Sequence, residues 1–210
     1  MTPLDPRLVD EVVQAHWPEA ACELRWRDPW GLVVAVILSA RATDTAVNRV
    51  LAQLDEHLLG IHAYAVLDPR DLEPLLIHLP LYRQKARSVV EAARAILDRF
   101  GGVVPQNPRL LETLPGIGRK TANVVAGNAW GIPAIGADTH VNRLAFRFAW
   151  TARESPGDAE RAIEIRFPPE RWVRLCHQLI RLGRHHCKRA NPKCAGCPLG
   201  AVCPRQGVAP

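Results

Sequence analysis

Four helix-start signals of one kind punctuate the chain: Asp5-Pro6, Asp28-Pro29, Asp68-Pro69 and Asn107-Pro108. In each, a short oxygen-bearing side chain can accept a hydrogen bond from the free N–H groups of a first helical turn. The proline that follows has no N–H to leave unsatisfied, and its φ already suits a helix. Each signal precedes apolar residues at helical spacing, and strand-like alternation with hairpin-turn chemistry is found nowhere. The expected fold is all-α, with about ten helices. PWGLVVAVILSA, after Asp28, is apolar on every side and reads as a central buried helix. A helix from Asp44 is expected to stop at Gly60, and one through QKARSVVEAARAILDRF at Gly101-Gly102.

Of the 210 residues, 48% are hydrophobic and 23% charged, which excludes a disordered chain. The net charge of +6 favours a polyanionic partner, nucleic acid above all. With no run of about 18 apolar residues, no membrane span is expected. The start, MTPLDPRLVDEVV, lacks a charged-then-apolar signal segment, so a cytoplasmic, nucleoid-associated protein is expected.

The segment NPRLLETLPGIGRKTANVVAGNAW reads as helix, tight hairpin, helix, spanning about 107–127. Pro115, Gly116 and Gly118 break the first helix, and Arg119 onward begins the second. Glycines allow close approach of a partner to the backbone, and the N–H groups of the new helix start can hold a phosphate without reading base sequence. The candidate DNA contacts here are Leu114, Gly116, Ile117, Gly118, Arg119 and Thr121. Lys120 is placed for chemistry as well as binding. An amine attacks only when neutral, and a helix N-terminus and Arg119 both oppose its positive charge. By local sequence alone, Lys120 is either a nucleophile or a phosphate contact.

Downstream stands GADTHVNR, in which Asp138 precedes the apolar run LAFRFAW. Asp138 reads as a helix N-cap, as a carboxylate able to take a proton from Lys120, or as both. His140 reads as a packed or DNA-facing residue.

Of the six cysteines, Cys187, Cys194, Cys197 and Cys203 follow the spacing C-x6-C-x2-C-x5-C. Such crowding in a reducing compartment indicates a metal site rather than disulfides. Only one close pair is present where zinc usually takes two, and Cys203-Pro204 suits an iron–sulfur ending, so 4Fe–4S is favoured over zinc. Between the first two cysteines, Lys188, Arg189 and Lys193 make a basic loop suited to a DNA backbone. Cys22 and Cys176 lie among apolar neighbours and read as core residues.

LSARATD at 38–44, LPGIGRKTANVV at 114–125, ADTHV at 137–141 and the four-cysteine end together resemble the endonuclease III family of helix-hairpin-helix DNA glycosylases, in order and nearly from end to end. The resemblance implies a two-lobed all-α fold with DNA in the cleft between lobes. Residues 22–132 would form a six-helix barrel lobe containing the helix-hairpin-helix. Residues 1–21 and 133–210 would form a cluster lobe, with the 4Fe–4S loop at 187–203. It further implies a base flipped out of the duplex, Lys120 as nucleophile at the sugar C1′, Asp138 as its activating carboxylate, and β-elimination that nicks the strand. The implied substrate is double-stranded DNA bearing oxidised pyrimidines or abasic sites, acted on by a monomer. Leu81 matches a residue that wedges into the duplex, and Arg41 a position that fills the space left by the flipped base. Arg41 stands where the family usually has glutamine, Pro80 where it has glycine, and Ala137 where it has valine.

Two other readings compete. One is a monofunctional mismatch glycosylase of the same superfamily, which generally lacks a lysine at the position of Lys120. The other is a weakly active or non-catalytic DNA-binding iron–sulfur module.

Overall fold

The computed structural model describes residues 2–58 and 60–208. These form eleven α-helices and one 3-10 turn, and the described residues contain no strand. All four Asp/Asn-Pro signals are helix caps. Asp5 accepts from Arg7 N at 2.9 Å, Asp28 from Gly31 N at 2.7 Å, Asp68 from Arg70 N at 2.8 Å and Asn107 from Arg109 N at 2.9 Å. At Asp68 the cap is reciprocal, because Asp71 accepts in turn from Asp68 N at 3.2 Å.

The chain divides into two compact units, Cys22–Ile132 and Met1–Ala21 with Pro133–Pro210. The first holds α2 (Pro29–Leu38), α3 (Asp44–His57), α4 (Gly60–Ala65), α5 (Pro69–Leu76), α6 (Tyr82–Phe100), α7 (Pro108–Leu111) and α8 (Arg119–Trp130). α2 is its centre: Trp30 and every residue from Leu32 to Leu38 are buried. A helix apolar on all faces has no surface to offer water, so its neighbours α3, α4, α6 and α8 pack around it. α6 ends at Gly101, in the left-handed conformation at φ 59°. α3 ends earlier than its glycine suggests. Leu58 turns extended while its N–H still bonds Leu54 O, and Gly60, at φ 73°, opens α4 instead of closing α3.

The second unit holds α1 (Pro6–His16), α9 (Thr139–Arg147), α10 (Pro156–Glu164), the 3-10 turn Pro169–Arg171 and α11 (Trp172–His185). Its N-terminal piece is stitched to the rest. Leu4 N donates to Phe148 O at 2.9 Å, and Trp150 Nε1 donates to Leu4 O at 2.8 Å. Arg171, mostly buried, holds Asp10 of α1 at 2.6 Å and Gln178 of α11 at 2.8 Å. Among the described residues no helix is long and apolar enough to cross a membrane.

Candidate active site and DNA-contact residues

Within Cys22–Ile132, the hairpin between α7 and α8 has two glycines with different tasks. Gly116 holds φ 76°, and a Cβ built there would lie 2.7 Å from Ser88 Cβ on α6. Its smallness therefore serves the unit's own packing as well as the turn. Gly118 caps α8 with no side chain, and nothing lies within 4 Å of its missing Cβ. The N-cap of α8 therefore makes no side-chain hydrogen bond to the helix's first turn. Leu114 and Ile117 are buried, so contact with a partner at these two positions comes from backbone. Arg119 and Lys120 are exposed on the first turn of α8, and Thr121 is half-buried. Cys22 is half-buried against this core, and burial pushes its thiol up; Leu24 N and the charge of Lys120 act in the opposite sense.

Two further predicted DNA contacts belong to this unit. Arg41 lies in the turn after α2 at φ 54°, exposed. Leu81 is the N-cap residue of α6 at φ 60° and ψ 28°, with 49% of its surface exposed. Both hold the left-handed conformation that L-residues other than Asn and Asp rarely adopt.

In the second unit, Asp138 is the N-cap of α9. Its Oδ1 accepts from His140 N at 2.8 Å and Val141 N at 2.9 Å, which fixes the carboxylate and leaves Oδ2 without a partner among the described residues. His140, half-buried on the first turn of α9, receives a hydrogen bond at Nδ1 from Arg143 at 2.8 Å. Burial lowers its pKa most, with Arg143 and Arg184 acting in the same sense against Asp138 and the Gly183 backbone. A Cβ at Gly183 of α11 would reach within 2.8 Å of His140 Nδ1, so glycine there makes room for the ring.

The four C-terminal cysteines border one recess of about 360 Å³. Among the described residues no group of three His, Cys, Asp or Glu is placed to hold a metal ion. Burial pushes the Cys197 and Cys203 thiols up. Gly200 is required here: a Cβ would overlap the Cys194 carbonyl oxygen.

Sequence reasoning missed the two buried arginines of α9 that hold this loop. Arg143 donates to Cys187 O at 2.8 Å. Arg147 donates to Cys187 Sγ at 3.2 Å, Lys188 O at 2.7 Å and Arg189 O at 3.0 Å. Their signal was present as arginines four apart within an apolar run, which places both on one helix face. Lys188, Arg189 and Lys193 are exposed. The loop itself has no acid, but Glu154 reaches Arg189 at 2.6 Å from outside it.

Comparison with known proteins gives a consistent picture. Residues 34–169 match the HhH-GPD superfamily of base excision DNA repair proteins. Endonuclease III of Bacillus subtilis is 41% identical over 194 residues, covering 91% of this chain and 87% of that protein. Endonuclease III of Escherichia coli K12 is 34% identical over 186 residues, covering 89% and 88%. A trapped endonuclease III–DNA covalent intermediate superposes with a TM-score of 0.90 at 38% identity, covering 94% of this chain and 93% of the other. A thermostable thymine-DNA glycosylase shares the fold, with a TM-score of 0.83 at 21% identity over 94% of each chain. The chain belongs to the endonuclease III family, within the HhH-GPD superfamily of base excision DNA repair proteins.

Proposed function

We propose that this chain is a bifunctional DNA glycosylase and abasic-site lyase that removes oxidised pyrimidines from double-stranded DNA. The observation that carries the reading is an exposed lysine on the first turn of α8, directly after the LPGIG hairpin, in a member of this family. A 38% identical endonuclease III has been trapped covalently on DNA.

In this reading the neutral Lys120 Nζ forms a bond to C1′ as the bond from C1′ to the damaged base breaks. Ring opening gives a Schiff base. Loss of a C2′ proton then expels the 3′ phosphate, which nicks the strand, and water releases the lysine. Asp138 accepts the lysine's proton and supports positive charge at the sugar. Its two backbone donors hold Oδ1 and leave Oδ2 to act. The hairpin, Arg119, Thr121 and His140 hold phosphates, as do Lys188, Arg189 and Lys193. Leu81 and Arg41 occupy the gap left by the flipped base.

Cys187, Cys194, Cys197 and Cys203 would hold a 4Fe–4S cluster, a reading supported by their shared recess and by four thiol donors at this spacing. When bound, the cluster supplies cross-linking that keeps the basic loop in shape. Cys22–Ile132 then corresponds to the barrel lobe, and the remainder to the cluster lobe.

Borohydride reduction on duplex DNA with one abasic site tests the lyase. The wild-type protein is expected to form a covalent adduct that Lys120→Gln abolishes. A wild-type protein that nicks the site without an adduct, or an adduct that survives in Lys120→Gln, would overturn the assignment. A monofunctional mismatch enzyme would give neither nick nor adduct.

A further inference from the structure

Between the start of α5 and the first two turns of α6 lies an open groove of about 1010 Å³, bordered by Asp68, Arg70, Glu73, Arg83, Gln84 and Arg87. None of these residues belongs to the hairpin, the cap of α9 or the cysteine loop. The groove holds three arginines and two acids, so its lining keeps an excess of positive charge. Asp68 spends Oδ1 on Arg70 N as the cap of α5. Glu73 faces Arg83 at 3.6 Å. That leaves the guanidinium groups of Arg70 and Arg87, both exposed, with no acceptor among the described residues. Gln84 stands in the same groove with a neutral amide donor and likewise no partner among the described residues. A guanidinium carries five donors and no acceptor, and its fork matches the oxygens of a phosphate. Two such forks and an amide in one open trough suit a run of phosphates rather than a single enclosed ion.

Position selects the polymer. Leu81, half-exposed, is the N-cap residue immediately before α6. Gln84 and Arg87 follow on its first two turns, so the groove and Leu81 share one element. A duplex that receives Leu81 between its bases has its backbone close to the start of α6.

We propose that the α5–α6 groove is a DNA-backbone site, in which Arg70 and Arg87 hold phosphates of the duplex arm adjoining the base step opened by Leu81. The proposal rests on the reading of Leu81 as a residue that enters the duplex. It extends the bound DNA beyond the hairpin and the cysteine loop.

The salt dependence of binding tests it. Each phosphate contact contributes a slope of about −0.9 to log K against log salt. Arg70→Ala/Arg87→Ala should therefore bind an abasic-analogue duplex with a slope less negative by about 1.8. A fourfold rise in salt then costs the wild type about twelvefold more affinity than the variant. Fluorescence anisotropy with the full chain reads this directly, and Arg70→Gln/Arg87→Gln supplies a second variant with longer side chains. Arg161→Ala is the control, an exposed arginine on α10 in the other unit. Shortening the duplex one arm at a time should weaken the wild type on one side only, and that asymmetry should vanish in the double variants.

Parallel salt lines for wild type and both double variants would overturn the proposal. So would an equal loss of slope in Arg161→Ala, which would mark a general charge effect, or an arm asymmetry that persists in the double variants. A wild-type chain with no affinity for duplex DNA would instead remove the DNA-binding reading beneath it, and this differs from every outcome in which the wild type binds.

Discussion

Asp138 carries two roles that can be pulled apart by substitution. As the N-cap of α9 it offers one oxygen to two backbone N–H groups, at 2.8 and 2.9 Å. As a base it needs a negative charge. Asparagine caps a helix about as well as aspartate, whereas alanine at an N-cap costs about 1 kcal/mol, within a range of about 0.5–2. Asp138→Asn should therefore unfold in urea within about 0.5 kcal/mol of the wild type, and Asp138→Ala about 1 kcal/mol sooner. Loss of a positioned base typically removes about 10²–10⁴ in rate. Both variants should thus nick abasic duplex at least about a hundredfold more slowly under single-turnover conditions. Stability falls in one variant and activity in both. If Asp138→Asn loses as much stability as Asp138→Ala, the charge is holding the helix and the cap account is wrong. If Asp138→Asn keeps its rate within about tenfold, the carboxylate is not the proton acceptor.

Two further expectations concern the hairpin and the cysteines. Gly116→Ala forces a Cβ to within 2.7 Å of Ser88 Cβ at φ 76°, and left-handed strain of about 1–2 kcal/mol plus overpacking of about 1–3 should destabilise the protein by about 2–5 kcal/mol in urea. Ser88→Gly in the same chain should recover the overpacking share, and a purely additive double-mutant cycle would show that the two residues do not meet. Elemental analysis of the purified protein should find iron rather than zinc, with absorption near about 400 nm, and Cys203→Ala should lower the iron content. Zinc without iron would refute the cluster.

What the sequence revealed and what it hid divide along a physical line. Caps, buried helices and the hairpin are local, since each follows from residues within one or two turns. Asp28 and Asp68 announced their helices because a cap needs only its own first turn. The Lys120 and Asp138 segments were legible for the same reason, each standing at a helix start. Long-range pairings were not. That Gly116 exists partly for Ser88, that Gly183 makes room for His140, and that Glu154 answers Arg189 depend on which helices meet. Arg143 and Arg147 flank Leu144-Ala145-Phe146 with nothing local to mark their partners, yet both are buried to hold carbonyls around Cys187. Loop carbonyls are acceptors that no residue pattern advertises, so a buried arginine reveals its purpose only when the loop is folded against it.

Backbone strain offers ground for the DNA reading that family likeness does not supply, because φ is not visible in sequence. Among the described residues, Arg41, Leu81, Ala149, Asn191 and Arg205 are the non-glycine residues at positive φ. Glycine would adopt this conformation without penalty, and a side chain there costs about 1–2 kcal/mol. Asparagine tolerates it, Ala149 carries the smallest side chain, and Arg205 gains a hydrogen bond to Gly200 O at 2.8 Å. Arg41 and Leu81 have no such return. Arg41 has no partner among the described residues, and Leu81 leaves half its surface in water. A long cationic and a large apolar side chain are thus held out on strained backbone where the fold alone would favour glycine. Strain of this kind is held by the surrounding structure and clusters at functional sites. Both residues stand at the positions proposed above to enter the opened duplex, one apolar enough to replace a lost stacking contact and the other able to donate to an unpaired base.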